Sequence, residues 1–480
     1  MNRTAMNSSP TRNQSEQAFV LIIILWISVG LVGAALFFGH SMMLEYRASI
    51  NTLAGYQAEK IIEGALQYSF HILKNNEESG QMPDPADFAS NWAVVDGGCF
   101  WLLGRNPSNT SNNDPYFGFI DESSKLNLNT ATQEMLESLP NMTEELAAAI
   151  IDWRDEDSDE TENGAESSAY QRQTVKYECK NAPFESIDEL NLLKGASWNI
   201  LYGEDANRNG LLDPNENDGD RSLPSDDQDG ELDRGIIEFV TVFSREPNLN
   251  SESSERININ ENSADSSQTD AGASQGPPAS SGPSAGQQGI AQELVDLLTE
   301  KFSEERAQEI QQALPTQGEF SSLLEFYIRS GMTAKEFAEI DDEISTSDDE
   351  YLEGLININT APEEVLACIP GIGSENAAAV VQYRSSHSNS LDSIAWLAEV
   401  LEEEQAIQAG PFITVKSYQY TADIMAVGHQ GKGFRRMQFV IDVSEDDPVV
   451  RYRRDLSRFG WALGREVRMD LHDLKESQEL

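Results

Sequence analysis

An acidic stretch between Gly203 and Gly235 carries the residues with the clearest chemical potential in this sequence. Calcium-binding loops of about twelve residues alternate carboxylate and amide ligands, turn at a glycine and end on a glutamate that binds through both oxygens. The spacing here matches that pattern, with Gly210 at the turn, and it predicts these calcium ligands: Asp205, Asn207, Asn209, the carbonyl of Leu211, Asp213 and Glu216. Five later aspartates could form a second, less regular site: Asp218, Asp220, Asp227, Asp229 and Asp233.

A solvated acidic surface is the alternative interpretation of this stretch, because the whole chain is strongly acidic. It contains 82 acidic and 33 basic residues among 480, a formal net charge of −49. Such a charge opposes binding to nucleic acid, whose phosphates would be repelled. The match at every position of the loop pattern nevertheless favours calcium. A site of this kind outside the cytoplasm is expected to be structural rather than sensory.

The other chemically active residues do not predict a catalytic site. The five histidines are scattered without a metalloprotease motif, and the three cysteines form no CxxC pair. Cys99 and Cys179 could pair outside the cytoplasm, whereas Cys368 lies in an apolar helix pattern. The carboxylates between Asp152 and Asp159 are interpreted as solvated surface. We therefore expect no enzyme activity and no catalytic residue.

The amino-terminal region predicts one long helix that crosses a membrane once. Residues 18–39 form an uncharged segment that is long enough to span a bilayer as a helix. Apolar residues then recur at three- and four-residue steps up to Ile72, and no proline interrupts the pattern. Basic residues precede the apolar run and acidic residues dominate after it, which predicts a cytoplasmic amino terminus with the bulk of the chain outside.

Internal repetition predicts two related helical modules. Residues 126–131 read LNLNTA and residues 356–361 read ININTA, and each copy precedes a helix-hairpin-helix pattern; ININ recurs at 257–260. Such units often bind DNA when basic side chains support the hairpin. Here acidic side chains flank the hairpins, so we expect protein packing and no nucleic acid. The second hairpin consists of Pro370, Gly371, Ile372 and Gly373.

Strand-like runs in three separated blocks predict an α+β fold, a small β-sheet interrupted by helical insertions. In chain order we expect a polar segment (1–18), the long helix (19–75), a first β part (76–125), a first helical module (126–235) with the acidic loop at 203–235, a second β part (236–260), a flexible linker (261–289), a second helical module with the helix-hairpin-helix (290–410), a third β part (411–443) and a C-terminal tail (444–480).

The amino terminus resembles the type IV pilins and pseudopilins, and further segments are similar to the general secretion pathway protein K family, the minor pseudopilin of type II secretion. The similar segments are Leu126–Ala131, Ala148–Asp157, Gly164–Glu166 with Tyr170, Asn181–Gly195 and Ile356–Gly373. The resemblance implies a pseudopilin sheet with two inserted SAM-like modules. It also implies that residues 1–18 are a prepilin-type leader, cut by the prepilin peptidase between Ala18 and Phe19, although the family usually has glycine before the cut.

The resemblance implies a function as well. Members of the family lie in the inner membrane with their bulk in the periplasm, bind calcium and join minor pseudopilins I and J and other pseudopilins. They cap the pseudopilus at its tip and initiate its assembly for the export of folded proteins. Ile23 replaces the glutamate that most pseudopilins carry at this position, which is typical of protein K. The alternative is a membrane-anchored DNA receptor of the competence type, which also carries ININTA before a helix-hairpin-helix.

Overall fold

The computed structural model describes residues 13–76, 80–95, 97–105, 114–260, 292–315, 318–387, 390–445, 447–464, 467–469 and 471. The expected linker at 261–289 and most of the expected leader lie outside these described residues. The α-helices are α1 Asn13–Lys74, α2 Gln133–Glu137, α3 Glu144–Arg154, α4 Ser167–Tyr170, α5 Trp198–Tyr202, α6 Gln292–Lys301, α7 Glu304–Ala313, α8 Leu323–Ser330, α9 Ala334–Phe337, α10 Glu363–Leu366, α11 Gly373–Ser386 and α12 Glu403–Ala409. The strands are β1 Ala93–Val95, β2 Gly98–Leu103, β3 Ile120–Asp121, β4 Leu126–Asn127, β5 Val240–Thr241, β6 Arg245–Pro247, β7 Ile257–Asn258, β8 Ile344–Ser345, β9 Tyr351–Glu353, β10 Ile356–Asn357, β11 Ile413–Thr414, β12 Gln419–Val427, β13 Arg435–Asp442 and β14 Val449–Asp455.

Helix α1 is continuous over 62 residues, which confirms the long helix that the uninterrupted pattern predicts. From Phe19 onward it is long and apolar enough to cross a membrane, and its most apolar stretch is 0% buried within the chain. Its second half is different, because Ala58, Ile62 and Ala65 are buried against the sheet. The first half of α1 therefore exposes an apolar surface, whereas the second half belongs to the core of the fold.

The main sheet has the strand order β1-β2-β12-β13-β14, and β3 also pairs with β12. All of these pairs are antiparallel. Because side chains alternate between the two faces of a strand, Ile424 packs with α1, whereas its neighbour Met425 packs with Trp101 and Leu463 on the other face. Both faces of the central strand β12 are thus covered, and all nine of its residues are buried.

The segment 444–480, expected as a C-terminal tail, contributes to the sheet instead. Strand β14 pairs with β13 from Met437 opposite Asp455 to Asp442 opposite Val449. Ala462 and Leu463 are then buried against Trp101. The sequence of β14 is VVRYRRD, and its arginines predict a charged surface rather than a strand of the sheet. Charged side chains suit a strand at the edge of a sheet, where they reach solvent and discourage aggregation.

Among the described residues, the inserted helical part contains three repeats rather than two. Each repeat begins with a short strand from an LNLN or ININ sequence and ends with a strand that pairs with it in parallel: β4 with β5, β7 with β8, and β10 with β11. The segment 236–260, expected as the second part of the main sheet, is therefore divided differently. Strand β5 closes the first repeat and β7 opens the second. Strand propensity indicates that these residues are extended, but it does not reveal which strand they pair with.

An asparagine near the start of each repeat fixes the returning chain. The side-chain amide of Asn129 accepts from the N–H of Phe184 (2.7 Å) and donates to its carbonyl (3.1 Å). Asn260 makes the same two bonds to Phe320, at 2.8 and 3.0 Å. In the third repeat the side-chain amide of Asn359 donates to the carbonyl of Leu391 (2.9 Å). An amide can replace a strand neighbour in this way because it offers both a donor and an acceptor.

All three cysteines lie in the described part of the chain, and all are buried and unpaired. Cys99 packs beneath the C-terminal segment, while Cys179 and Cys368 belong to the core of the inserted repeats. The pairing of Cys99 with Cys179 that the sequence allowed is therefore not formed, because the two residues lie in separate hydrophobic clusters.

A buried aspartate joins the main sheet to the third repeat. The carboxylate of Asp121 accepts hydrogen bonds from the hydroxyl groups of Ser417 and Thr360 and from the side-chain amide of Asn357. Burial raises the pKa of Asp121 to about 6, although these hydrogen bonds favour the ionised form and oppose the shift. This junction is therefore sensitive to pH.

Asp121 should make the fold less stable as the pH rises from about 4 to about 6. In this window the folded chain binds the proton more tightly than the unfolded chain, whose aspartate has a pKa near 3.8. Linkage then lowers the free energy of unfolding with increasing pH, by about 3 kcal/mol over the whole titration and by about 2 kcal/mol between pH 4 and pH 6. Urea titrations of the full chain in detergent, across this range, should show a shallower decline for Asp121→Asn. Equal slopes for the two proteins would contradict the prediction.

Candidate functional site

The first half of the acidic loop turns around the carboxylate of Asp205. This carboxylate accepts from the N–H groups of Asn209 (3.0 Å) and Gly210 (2.8 Å). The side chain of Asn207 accepts from the same Asn209 N–H (3.0 Å), and the side chain of Asn209 accepts from the N–H of Leu211 (2.8 Å). Gly210 has a φ of +72°, a conformation that a residue with a Cβ rarely adopts. The glycine of the sequence pattern is thus located at the turn that requires it.

The second half of the loop closes through Glu216. Its two oxygens accept from the N–H groups of Ala206 (2.9 Å) and Asp213 (3.0 Å). Asp213 Oδ2 in turn accepts from the side-chain amides of Asn207 (2.6 Å) and Asn209 (3.1 Å). The structure therefore brings the side chains of the first predicted calcium site into one compact loop.

The carboxylates inside this loop are hard to ionise without a cation. Asp205 is 6% exposed and Glu216 is 1% exposed. Burial, together with the nearby Asp205 carboxylate, raises the pKa of Glu216 to about 8. Burial also raises the pKa of Asp205, although the charge of Arg105 opposes this shift. A bound divalent cation would favour the ionised forms and reverse both effects, so the predicted ligands fit calcium.

A buried ion pair fastens the loop to the main sheet. The fully buried Arg436 on β13 pairs with Asp423 on β12 at 2.6 Å. The same guanidinium donates to the carbonyls of Asn207 and Arg208, each at 2.6 Å. Arg105, which follows β2, also donates to the Arg208 carbonyl (3.2 Å). The sequence did not indicate Arg436, because it is separated from its loop partner by 229 positions.

The five aspartates that could form a second calcium site do not converge on one point. The carboxylate of Asp233 accepts from the side chain of Asn141 (3.0 Å), in the hairpin of the first repeat. The carboxylate of Asp218 accepts from the hydroxyl of Ser222 (2.9 Å). The other three are exposed: Asp220, Asp227 and Asp229. Their neighbouring positions in the sequence do not translate into a shared cavity, because each side chain has a different partner or faces solvent.

A different group of carboxylates forms a compact cluster in the first repeat. One oxygen each of Asp155, Asp157 and Glu166 lies within 4.8 Å of the other two. Glu166 is only 5% exposed, and its Oε1 and the Oδ1 of Asp155 are buried without a hydrogen-bond partner in the described part of the chain. Burial is the main reason that the pKa values of Asp155 and Glu166 are raised. The cluster offers the oxygen ligands that calcium prefers, whereas the sequence between Asp152 and Asp159 predicts only solvated surface.

The hairpin of the third repeat packs against the protein itself. It joins α10 to α11, and a Cβ at Gly371 would lie 2.1 Å from the carbonyl oxygen of Gln405 on α12. Gly371 also has a φ of +83°. The helices on either side carry acidic residues in their first turns: Glu363, Glu364 and Glu375. These contacts favour the expected packing role of the hairpin.

The helix, the sheet and the inserted repeats together define a class of fold, a long amino-terminal helical shaft joined to an enlarged α+β head. Ala18 and Phe19, which flank the expected cleavage point, both lie within α1. Phe19 and Ile23 are exposed on the apolar half of the helix. The shaft therefore presents apolar side chains outward from Phe19 onward.

Comparisons with known proteins agree with this class. Residues 120–201 match the family described as type II secretion system (T2SS), protein K, and residues 353–413 match the helix-hairpin-helix motif. The type II secretion system protein K of Klebsiella pneumoniae is 25% identical over 203 residues, which cover 38% of this chain and 59% of the relative. The match to the protein K family is thus confined to residues 120–201, and the chain spans 59% of the length of this relative.

A solved structure is also similar in outline. It is the GspK-GspI-GspJ complex of the type 2 secretion system from enterotoxigenic Escherichia coli, with 12% sequence identity and a TM-score of 0.37. The similarity covers 83% of this chain and 98% of the chain in that complex.

Proposed function

We propose that this protein caps and initiates a pseudopilus at its tip, and that it does so without catalysing a reaction. The observation that carries the proposal is helix α1, which continues without a break from an exposed apolar half into a half buried under the sheet. An apolar rod of this kind can leave the bilayer and pack beside the rods of other subunits. A tethered enzyme would not need a shaft that is built into its own core.

The large head supplies the capping step in this proposal. Three helical repeats enlarge a small pseudopilin sheet, so the head leaves no room for another subunit above it. Ile23, which stands where most pseudopilins carry a glutamate, also suits a subunit at the tip of the filament. Such a subunit has no amino terminus above it for a glutamate to bind. The chain would thus end the filament and initiate the assembly that exports folded proteins.

The proposed partners and orientation follow from the family. We propose that pseudopilins I and J, which accompany protein K in the solved complex, bind this chain, and that other pseudopilins follow below. The prepilin peptidase would cut between Ala18 and Phe19. The amino terminus would lie in the cytoplasm, the apolar half of α1 in the inner membrane and the head in the periplasm.

Calcium is the proposed cofactor, and two groups of residues could hold it. The loop from Asp205 to Glu216 has the spacing, the turn and the crowded buried carboxylates of a cation site. The cluster that contains Glu166 has buried oxygens that lack hydrogen-bond partners. At either place calcium would stabilise the head rather than take part in a reaction.

Secretion by a truncated chain tests the proposed role of the shaft. The truncation should begin at residue 48 behind a cleavable secretion signal, because Ala54 and the buried residues after it belong to the core of the head. We expect this head to resist protease as the full chain does but to restore no secretion to cells that lack the gene. Normal secretion with the truncated chain would overturn the filament role.

A membrane-anchored DNA receptor remains the second candidate, because the helix-hairpin-helix match covers residues 353–413. The net charge of −49 and the close packing of Gly371 against Gln405 argue for the first proposal. The full chain in detergent is expected not to bind immobilised DNA in a salt-dependent way. Tight, salt-dependent retention would favour the receptor.

A further inference from the structure

A cavity separate from both carboxylate sites lies where the antiparallel pair of β6 and β9 meets the second and third repeats. Its volume is about 650 Å³, within the range of pockets that bind ligands. Apolar side chains form much of its wall, among them Leu323, Leu352, Ile413 and Val415. The proposed filament function assigns no role to this cavity.

One wall of the cavity is a strand with an open edge. Strand β9 pairs with β6, and the bonds at the ends of this pair are donated by Asn248 N–H to the Glu350 carbonyl and by Gly354 N–H to the Ser244 carbonyl, each 3.1 Å. Because the backbone groups of an antiparallel strand alternate in direction, those of Tyr351 and Glu353 point away from β6. Within the described part of the chain, β9 has no strand on that side. The edge can therefore accept an additional strand.

A buried guanidinium in the wall has a donor to spare. The side chain of Arg256 is 3% exposed, and its Nη1 pairs with Glu246 at 2.8 Å. Glu246 is held in turn by the hydroxyl of Thr414 (2.7 Å). The Nε of Arg256 is buried and has no hydrogen-bond partner in the described part of the chain. A buried N–H without an acceptor is costly, and a carbonyl oxygen of a ligand would satisfy it.

The charges around the cavity are mainly negative. Asp341, Asp349, Glu350 and Glu353 line it, whereas Lys416 is already paired with Asp342. This distribution attracts positive charge. We propose that the cavity binds an extended peptide segment that carries a basic side chain and adds as a strand to the free edge of β9, with a peptide carbonyl accepting from Arg256 Nε. Main-chain hydrogen bonds would supply affinity, and the acidic wall would select the basic side chain.

A labelled peptide tests this proposal with the full chain in detergent. The probe is a capped, fluorescein-labelled heptapeptide, Ser-Val-Arg-Val-Thr-Val-Ser, with a second peptide in which glutamate replaces the arginine. We expect saturable binding of the first peptide and at least tenfold weaker binding of the second. Hydrogen exchange should slow at the amides of Tyr351 and Glu353 when the first peptide binds, because these N–H groups would enter a strand pair.

Three variants separate specific from nonspecific peptide binding. Val415→Trp should fill the cavity and weaken binding at least tenfold, while Val449→Trp on the exposed strand β14 should leave it unchanged. Arg256→Lys keeps a charge beside Glu246 but removes the Nε donor, so it should also weaken binding. The proposal is overturned if the arginine peptide shows no saturable binding up to about 1 mM, a very weak affinity, or if it binds equally to the Val415→Trp protein. Equal affinity for the glutamate peptide would overturn the proposal that the acidic wall selects a basic side chain.

Discussion

Replacing Arg436 by methionine is expected to lower the free energy of unfolding by about 4 kcal/mol. The guanidinium is fully buried and pairs with Asp423, which is 1% exposed. Removing it would leave a carboxylate in the core of the sheet without its counter-charge. The carbonyls of Asn207 and Arg208 would also lose the hydrogen bonds from this guanidinium, and the Arg208 carbonyl would keep the one from Arg105. The acidic loop should therefore become more sensitive to protease at the same time.

Urea titration of the full chain in detergent measures this effect, and the neighbouring residue supplies a matched control. Arg435 lies on the same strand but is exposed, so Arg435→Met should change the free energy of unfolding by no more than about 0.5 kcal/mol. The double change Arg436→Met with Asp423→Leu should recover part of the loss, because no unpaired charge then remains buried. Similar losses for the Arg435 and Arg436 variants would show that the ion pair does not hold the loop.

Features that depend on neighbouring residues could be predicted from the sequence. The long helix follows from a local apolar period and the absence of proline, and the structure confirms it from Asn13 to Lys74. The calcium ligands between Asp205 and Glu216 could be proposed because a single loop of about twelve residues supplies them all. In both cases the spacing of residues within one segment is sufficient for the prediction, since neither the helix nor the loop depends on many contacts with distant residues.

Features that depend on distant residues could not be predicted in the same way. Strand β4 pairs with β5 more than a hundred positions later, and nothing in either dipeptide specifies the other. The same limit hid the role of β14, because an arginine-rich edge strand looks like surface. The cluster of Asp155, Asp157 and Glu166 was missed because burial, rather than composition, distinguishes a carboxylate site from a solvated acidic run.

The position of the acidic loop also explains how a cation there could affect the whole head. Side chains of the loop reach the C-terminal segment, where Asn207 donates to the carbonyl of Trp461 (3.3 Å) and Asn209 to that of Ala462 (3.1 Å). Its backbone accepts from Arg436 on the opposite side. The loop is thus wedged between the sheet and the segment that covers it, so ordering the loop would stabilise both.

Calcium is therefore expected to raise the melting temperature of the full chain in detergent, and Asp205→Ala with Glu216→Ala should abolish the rise. At a free calcium concentration a hundred times Kd, binding adds about 2.7 kcal/mol to the free energy of unfolding. The double variant removes one ligand from each end of the loop, and it also removes the buried carboxylates that repel each other without the cation. Thermal unfolding in EDTA and in excess calcium measures the difference.

The matched control is a pair of exposed aspartates in the same acidic stretch. Asp220→Ala with Asp229→Ala also removes two carboxyl groups, but neither belongs to the ligand set between Asp205 and Glu216, so the rise should persist. A rise that survives in the Asp205 and Glu216 variant but is lost in Asp155→Asn with Glu166→Gln would assign calcium to the cluster of the first repeat instead. A rise that survives when all four substitutions are combined would overturn both proposed sites, because neither group could then bind calcium to stabilise the head.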